Sequence, residues 1–489
     1  MNRPMKICIV AEGCYPYVVG GVSGWINSLI NSFPNLEFVL LTIVANRSQR
    51  GKFAYTLPDN VTEVHEVYLD DVDWQRSGKG GRRMKLSQKE YRAFRGIILN
   101  QEVDWDTLFQ MFQKKKFSID DLLMGEDFLH IAAECYSLRY TQIVFSDFLW
   151  TLRSIYLPLC FILKMKLPKA DLYHCVATGY AGVLGSMAKY LYGSQLLISE
   201  HGIYTREREE ELIKATWVAG TYKNIWIEQF KKMSQLAYER ADMVTSLYEH
   251  ARELQMELGC PAYKTIVTPN GINTQRLANL PGKTAEDEGM INVGAVLRVT
   301  PIKDVKTMIQ SFAFAKKKVP NLKLWIMGPC DEDEKYADEC FELVENLQTE
   351  DIVFTGRIDI KDYLGRMDFT ILTSISEGQP LTILESYAAH KPVIATDVGN
   401  CRELLFGVTD NFGQAGILTH IMNLAEISDA MIELAKNKEA RLQMGENGYK
   451  RVMAGYKIED MKATYKKIYQ DFAEKQKLEW KEEPFRIKK

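Results

Sequence analysis

The sequence lacks the features that mark secreted, fibrous and nucleic-acid-binding proteins. Its nine cysteines include no Cys-x-x-Cys pair, which favours buried, reduced thiols in a reducing compartment over a disulfide framework. Lys and Arg total 61 against 64 Asp and Glu, a net charge of −3, so no broad positive field attracts nucleic acid. No internal repeat or low-complexity segment is evident. The remaining composition, 46% hydrophobic and 26% charged, is typical of a globular protein.

Long hydrophobic runs are also missing. The most apolar stretch, 155–163, contains Pro158 and is flanked by Arg153 and Lys164, whereas a bilayer-spanning helix needs about 20 apolar residues. The first residues are polar and lead into a strand-like segment, so we expect no signal peptide. These features predict a cytoplasmic protein that is not integral to a membrane.

Short β-branched segments alternate with helical patterns along most of the 489 residues, which predicts parallel sheets covered by helices. Between two such series, 279–289 carries Pro281, Gly282 and Gly289, as is typical of a linker. We therefore predict two α/β domains, 1–285 and 286–455. The expected strands are 6–11, 38–44, 172–175, 195–199, 243–246 and 265–268 in the first domain, and 290–296, 322–327, 352–355, 369–373 and 392–395 in the second.

Two segments depart from this alternation. Residues 70–165 repeat aromatic, Met and charged residues at helical spacing, which predicts a mostly helical insertion in the first domain. Residues 456–489 form a Lys-rich helical tail that can cross back to the first domain. Ligands of parallel sheets bind at the carboxyl ends of the strands, so we expect a ligand in a cleft that the two domains face.

The segment 373–385, TSISEGQPLTILE, follows a predicted strand and ends inside a predicted helix. Pro380 suits the first helical turn, Gly378 lets the backbone approach a ligand, and free amides at the helix start form an anion site. Glu377 and Glu385 can hold hydroxyl-bearing rings on either side of that anion. The alternative is that Glu377 is a cap-region charge and Glu385 an exposed helical acid.

A pair of cations follows another predicted strand. Arg298 and Lys303 come after 290–296, and a guanidinium fork with an ammonium charge suits a pyrophosphate. Taken alone, the two would more simply be solvated surface cations. Combined with Glu377 and Glu385, they favour a site for a sugar diphosphate.

These residues together resemble the retaining glycosyltransferases of the GT-B type in family 4. The resemblance covers most of 286–455, and in the first domain Gly20-Gly21-Val22 and the PNGI segment 269–272 match the family's glycine loop and junction turn. Longer strings are similar to the PelF type of Pel exopolysaccharide biosynthesis. They are YPYVVGGVSGW at 15–25, EHGIYTRER at 200–208, IKDVK at 302–306 and LTSISE at 372–377. Gly378 departs from this type, in which many chains carry Ala.

The resemblance implies a GT-B fold of two Rossmann-like domains and a role for each matched residue. Arg298 and Lys303 would bind the donor diphosphate, Glu385 the ribose, and Glu377 the transferred sugar, while His201 would approach that sugar from the first domain. The predicted catalytic residues are Glu377, His201, Arg298 and Lys303. The predicted donor-binding residues are Gly20, Gly21, Arg298, Lys303, Glu377, Gly378, Gln379, Pro380, Leu381 and Glu385.

Some of these assignments have structural alternatives. Two explanations account equally well for the glycines at Gly20 and Gly21. One is a βα turn that needs a positive φ, and the other is close approach of the backbone to a ligand. Tyr204 and Arg206 are expected at the acceptor, although Arg206 can equally pair with the acids of 209–211.

We expect no metal and no other cofactor. Asp71-Val72-Asp73 and Asp331-Glu332-Asp333 resemble the Asp-x-Asp pattern that binds a divalent ion in the other major glycosyltransferase fold. Both triplets are interpreted as solvated acids, and the Cys and His residues have no zinc-ligand spacing.

The implied function is retaining transfer from a UDP-sugar to a growing exopolysaccharide. The alternatives are synthesis of another glycan or glycolipid within the same family, and a non-catalytic nucleotide-sugar-binding scaffold in a polysaccharide secretion complex. The expected partners are the UDP-sugar, the polysaccharide acceptor and an inner-membrane export or synthase complex, at which the protein would be peripheral.

Overall fold

A computed structural model describes residues 3–71, 84–215, 220–408 and 410–484. It divides the chain into two units, each built on a parallel sheet. Unit 1 comprises Met1–Val267 and Lys466–Lys489, and unit 2 comprises Thr268–Tyr465. Two parallel α/β domains confirm the predicted fold class.

The central strands of the unit 1 sheet are short runs of β-branched and other apolar residues that are buried on both faces. Its strand order is β3-β2-β1-β4-β5-β6-β7, with every pairing parallel, so the order reverses direction between β1 and β4. The strands are β1 Lys6–Glu12, β2 Glu37–Val44, β3 Val61–Tyr68, β4 Leu172–Cys175, β5 Gln195–Ser199, β6 Met243–Ser246 and β7 Thr265–Val267.

The helices of unit 1 include a group of five between β3 and β4, within the range 70–165 that the sequence predicts as a helical insertion. They bury an aromatic-rich face that continues the core of the sheet. The helices are α1 Gly21–Ser32, α2 Gln88–Ile98, α3 Trp105–Lys114, α4 Ile119–Leu123, α5 Glu126–Arg139, α6 Phe145–Leu163, α7 Tyr180–Tyr192, α8 Tyr204–Lys214, α9 Gly220–Arg240 and α10 Glu249–Glu257.

Unit 2 repeats this plan with a parallel sheet of order β10-β9-β8-β11-β12-β13, which reverses direction between β8 and β11. Its strands are β8 Ile291–Val296, β9 Leu322–Met327, β10 Ile352–Gly356, β11 Phe369–Leu372, β12 Val393–Thr396 and β13 Gly416–Thr419. The helices are α11 Val305–Lys318, α12 Glu334–Leu347, α13 Leu381–Ala388, α14 Cys401–Phe406, α15 Leu424–Lys436, α16 Lys438–Gly455 and α17 Ile458–Lys475, whose last residues belong to unit 1.

The division between the units comes earlier than the predicted boundary near 285. It falls at Val267/Thr268, because the segment after β7 packs into unit 2. Ile272 pairs with Lys457, and Ile272 and Leu277 are buried in the unit 2 core. The Pro- and Gly-containing stretch 279–289 is therefore a surface connection within unit 2.

Helix α6 is longer than the apolar stretch that the sequence singles out. It runs from Phe145 to Leu163 and is the one helix in the described ranges that is long and apolar enough to cross a membrane. Its 18-residue apolar window is 56% buried inside the unit, and its buried residues belong to the unit 1 core. This burial is typical of a core helix.

Candidate active site

The predicted donor residues of unit 2 lie where its sheet reverses direction. Arg298 follows β8, and the segment from Thr373 to Glu377 follows β11, its neighbour in the sheet. Open parallel sheets bind ligands outside the carboxyl ends of their strands at such a switch point.

Lys303 and Glu377, predicted separately from the sequence, are in contact. Lys303 Nζ donates a hydrogen bond to Glu377 Oε1, and Ser374 Oγ donates to the same oxygen at 2.6 Å. The side chains of Lys303 and Glu377 are only 17% and 12% exposed. The main chain holds the two loops together, because Ile375 N donates to Ile302 O at 2.9 Å. Sequence reasoning missed Ser374, although a hydroxyl three residues before the acid was a usable signal.

Helix α13 begins at Leu381, four residues after Glu377. Pro380 is its N-cap residue, and within the described part of the chain no side chain caps this helix. The first backbone N–H groups of a helix have no partner inside the helix. Such groups bind anions, aided by the helix dipole. Pro380 thus precedes the first turn, one position earlier than predicted, and Leu381 is the first helical residue.

Glu385 lies one turn into α13 and is partly buried. Burial raises the pKa of its carboxyl to about 7, and the positive charge of Arg276 opposes this increase. Arg276 itself bonds Asp359, with 2.8 Å between Nη2 and Oδ1. The Glu385 carboxyl therefore titrates near neutral pH.

The loop after β12 supports the backbone of the Glu377 segment, and sequence reasoning missed this contact. Asn400 N donates to Gly378 O at 2.8 Å. Gly399 has a φ of +52°, and a Cβ at this position would lie 2.2 Å from Glu377 O. Gln379 is fixed as well, because its Oε1 accepts a hydrogen bond from Asn270 N at 2.8 Å.

Arg298 is exposed and paired separately from Lys303. Its Nη1 donates to both carboxylate oxygens of Glu332, at 2.6 and 2.7 Å. A diphosphate ligand would therefore have to compete with Glu332 for this guanidinium.

The described acids of the two triplets are mostly exposed, and several of them pair with neighbouring residues. Besides Glu332, Asp331 pairs with Arg357 at 3.2 Å, and Asp333 caps α12 by accepting from Tyr336 N. Asp71 pairs with Arg47 at 2.8 Å, while Val72 and Asp73 lie outside the described residues. Among the residues that the structure describes, no group of three or more His, Cys, Asp and Glu could hold a metal ion.

In unit 1, His201 and Tyr204 line a cavity of about 170 Å³ together with Glu12. Glu12 ends β1, and Tyr204 Oη donates to its Oε1 at 2.9 Å. The Tyr204 side chain is buried, so it faces Glu12 rather than bulk solvent. Arg206 is exposed and is not among the residues that line this cavity.

His201 is held as a neutral imidazole. Its ring lies 4.4 Å from that of Trp25, centroid to centroid, and burial lowers the pKa of His201 to about 4. Its Nε2 atom is buried and has no hydrogen-bond partner within the described part of the chain. His201 is also one of the residues that line the cavity.

Gly20 and Gly21 stand at the start of α1 and are exposed. Gly20 is extended, with φ −178°, and neither glycine has a positive φ. A Cβ at either position would meet no described atom within 4 Å. The positive-φ alternative is therefore wrong, and neither backbone conformation nor packing requires these glycines.

Comparisons with known proteins agree with this architecture. Residues 5–263 match the family model described as Domain of unknown function (DUF3492), and residues 278–451 match Glycosyl transferases group 1. The structure is similar to that of Anabaena HepE in complex with UDP and glucose, with a TM-score of 0.58, 14% identity, and coverage of 95% of this chain and 99% of that one. Sucrose-phosphate synthase from Thermosynechococcus elongatus gives a TM-score of 0.60, 14% identity, and coverage of 96% and 100%.

Sequence relatives match over shorter ranges. N-acetyl-alpha-D-glucosaminyl L-malate synthase of Bacillus anthracis is 30% identical over 35% of this chain and 42% of its own length. The putative glycosyltransferase EpsD of Bacillus subtilis is 29% identical over 42% and 52%. These matches span about half the length of those relatives.

The fold and the group 1 domain define a glycosyltransferase of the GT-B fold, as the sequence predicts. Within that class, the chain belongs to the family described as Domain of unknown function (DUF3492), whose model covers more than half of its residues.

Proposed function

We propose that this chain transfers a sugar from a UDP-sugar to a hydroxyl of a growing exopolysaccharide, with retention of configuration and without a metal. The observation that carries the proposal is the bonding of Lys303 and Ser374 to one oxygen of Glu377, beside the uncapped start of α13. The HepE structure with UDP and glucose supports UDP as the nucleotide.

The reaction breaks the bond between the anomeric carbon and the diphosphate and joins that carbon to the acceptor oxygen. Negative charge collects on the departing diphosphate, and preorganised positive groups that face it lower the barrier. Lys303 and the free N–H groups at the start of α13 supply such groups. Arg298 adds a second cation once it releases Glu332, and Glu385 accepts hydrogen bonds from the ribose hydroxyls.

Glu377 holds a hydroxyl of the transferred sugar in this proposal. A carboxylate oxygen that already accepts from an ammonium group and a hydroxyl is a weaker nucleophile than a free one. The contacts of Lys303 and Ser374 therefore favour attack by the acceptor from the leaving-group face over a covalent intermediate on Glu377.

The exopolysaccharide acceptor rests on the similarity of 15–25, 200–208, 302–306 and 372–377 to the PelF type. The same similarity supports a cytoplasmic protein that docks on an inner-membrane export complex. His201 and the cavity beside Tyr204 and Glu12 are the proposed contacts of unit 1 with substrate.

The test of the donor site is calorimetry with UDP. Lys303→Ala should weaken UDP binding by about tenfold to a hundredfold, since a charge-assisted hydrogen bond contributes roughly 1.5–3 kcal/mol. Lys335→Ala, which removes an exposed cation from α12 of the same unit, is the matched control and should bind as wild type does. An unchanged dissociation constant for Lys303→Ala would refute the proposed donor site.

Sugar transfer is tested separately from nucleotide binding. Glu377→Gln should retain UDP binding and lose turnover with every UDP-sugar that the wild type uses. Addition of EDTA should leave the wild-type rate unchanged, and a loss that Mg²⁺ or Mn²⁺ restores would contradict a metal-free mechanism.

A further inference from the structure

The cavity of unit 1 lies at the switch point of its sheet. Glu12 ends β1, while Val176 and Ala177 follow β4, and β1 and β4 are the neighbours between which the strand order reverses. Val22 of α1 and His201, which follows β5, complete this part of the wall. Two-substrate chemistry needs a second ligand site, and the strand ends at a switch point are where a parallel sheet provides one.

The volume of this cavity suits a small ligand group. At about 170 Å³, it is below the roughly 300–1,000 Å³ of pockets that enclose drug-sized ligands. A single sugar ring is the size of group that such a space can receive. A longer glycan would have only its terminal ring inside.

The charges on the cavity wall are acidic on balance. Glu12 and Glu207 face one guanidinium, that of Arg208. Arg208 Nη1 already donates to Glu211 Oε2 at 2.6 Å, and its Cζ lies 5.3 Å from the centre of the Tyr204 ring. The imidazole of His201 adds no positive charge at neutral pH, because burial keeps its pKa low.

An anionic ligand group would therefore meet two carboxyl groups and a single guanidinium among the residues that line this cavity. Burial already raises the pKa values of Glu12 and Glu207, and a further anion would disfavour their ionised forms still more. A phosphate or carboxylate group is thus a poor occupant.

Hydroxyl groups, by contrast, match the polar atoms of the wall. Each oxygen of Glu12 accepts a hydrogen bond, Oε1 from Tyr204 Oη at 2.9 Å and Oε2 from Ala181 N at 3.3 Å, and a carboxylate oxygen can accept two. Glu207 Oε1 lies so close to the Gly202 backbone that a Cβ there would be 1.8 Å away. Sugar hydroxyls can donate to these carboxylates and also pair with the unsatisfied His201 Nε2.

We propose that this cavity binds the uncharged terminal ring of a glycan acceptor through Glu12, Glu207 and His201, and that it rejects acceptors whose phosphate or carboxylate must enter it. The inference rests on the proposed glycosyl transfer and adds the chemical class of the acceptor. It separates an uncharged polysaccharide end from acidic acceptors such as a sugar phosphate or a hydroxy acid.

Binding of two matched probes tests this assignment. Methyl β-D-glucoside and methyl β-D-glucuronide share a ring and differ by one carboxylate, and each is titrated into the full chain saturated with UDP and observed by ligand NMR. The glucoside should bind at least tenfold more tightly than the glucuronide, with methyl N-acetyl-β-D-glucosaminide as a second uncharged probe. Equal or tighter binding of the glucuronide overturns the proposal. So does failure of both uncharged probes to bind up to about 50 mM, well above the millimolar range of weak specific binding.

Variants locate the binding within the cavity. Glu12→Gln and Glu207→Gln should each weaken binding of the uncharged probes about fivefold to tenfold, because they replace a charged acceptor of hydrogen bonds by a neutral one. Glu210→Gln, exposed on the same helix as Glu207 and not lining the cavity, should bind as wild type does. If both cavity variants also bind the probes as wild type does, the site is elsewhere.

UDP binding distinguishes this inference from the proposed function. All three variants should keep the wild-type dissociation constant for UDP, with Glu207→Gln as a second test if Glu12→Gln folds poorly. If the wild-type chain does not bind UDP, the proposed function itself is refuted. If the chain binds UDP but does not discriminate between the glucoside and the glucuronide, only the acceptor assignment is refuted.

Discussion

At the scale of single residues, Glu377 is oriented by protein contacts rather than by ligand. Its Oε1 receives hydrogen bonds from Lys303 and Ser374, and Thr373 Oγ1 donates to Lys303 O at 2.9 Å. A group held in position before substrate arrives needs little reorganisation during the reaction. The same arrangement places a cation beside an acid, so binding of a diphosphate requires Lys303 to share or exchange its partner.

Glu385 gives the proposed donor site a pH dependence. With a pKa of about 7, its ionised fraction rises from about one tenth at pH 6 to about nine tenths at pH 8. Because a carboxylate accepts hydrogen bonds better than a neutral carboxyl group does, affinity for UDP-glucose should rise by up to about ninefold over this range. Calorimetry on the Glu377→Gln background prevents turnover during the measurement.

The control for this prediction is Glu385→Gln, which should bind weakly with no such rise. Folding stability should change in the opposite direction. A raised carboxyl pKa means that the folded chain keeps a proton that the unfolded chain has lost, so stability falls as the pH rises from about 4.5 to about 7. Equal pH profiles of UDP-glucose affinity in the two proteins would show that Glu385 does not contact the donor.

At the scale of elements, the start of α1 is more open than packing requires. Gly21 is the first residue of the helix, and a Cβ added to it would meet no described atom within 4 Å. The helix has neither a capping side chain nor an acid in its first turn. A helix with an uncapped amino end and with glycine as its first residue allows a ligand to approach its backbone closely.

Gly21→Ala should therefore preserve the fold and impair function. The unfolding free energy should stay within about 0.5 kcal/mol of wild type or rise, because alanine favours helix more than glycine does. Turnover should fall about tenfold or more as the methyl group blocks the ligand. Gly24→Ala lies one turn further along α1, where an added Cβ also meets nothing within 4 Å, and should keep wild-type turnover. Equal turnover in the two variants would leave Gly21 without a ligand role.

The strands that the sequence predicted are those with continuous apolar runs. β1 and β2 are buried along almost their entire length and were found within one or two residues. β3 was missed because its residues VTEVHEVY alternate with charges, as an edge strand with a partly exposed face does. β13 was missed because it begins with glycine and only Ile417 and Leu418 form its apolar run.

The candidate site shows the same distinction. The Glu377 segment and Lys303 were found from residue types that carry charge after a strand. Asn400 and Glu12 were missed, since their importance depends on contacts between segments distant in the chain. Ser374 was missed although its partner Glu377 is only three residues away. Residue type identifies candidate groups, whereas the partner of each group is fixed only by the fold.

At the scale of the whole molecule, the chain order does not follow the order of the units. Lys466–Lys489 return to unit 1 after the whole of unit 2. There, Gln476 Nε2 donates to Asp171 O at 2.6 Å and Asn35 Nδ2 donates to Lys481 O at 2.7 Å. The end of the chain thus contributes directly to the stability of the first domain.

Tyr469 is the most deeply inserted contact of this tail. Its side chain is fully buried, its hydroxyl lies 2.8 Å from His174 Nδ1 in β4, and its ring lies 5.2 Å from that of Phe33. Tyr469→Ala should destabilise unit 1 by about 3–5 kcal/mol, the usual cost of removing a buried aromatic ring. Hydrogen–deuterium exchange should therefore accelerate in β4 and leave β8 of unit 2 unchanged.

Lys467→Ala, exposed on the same helix, is the control and should exchange as wild type does. Faster exchange in β8 with β4 still protected would mean that the tail supports unit 2 instead.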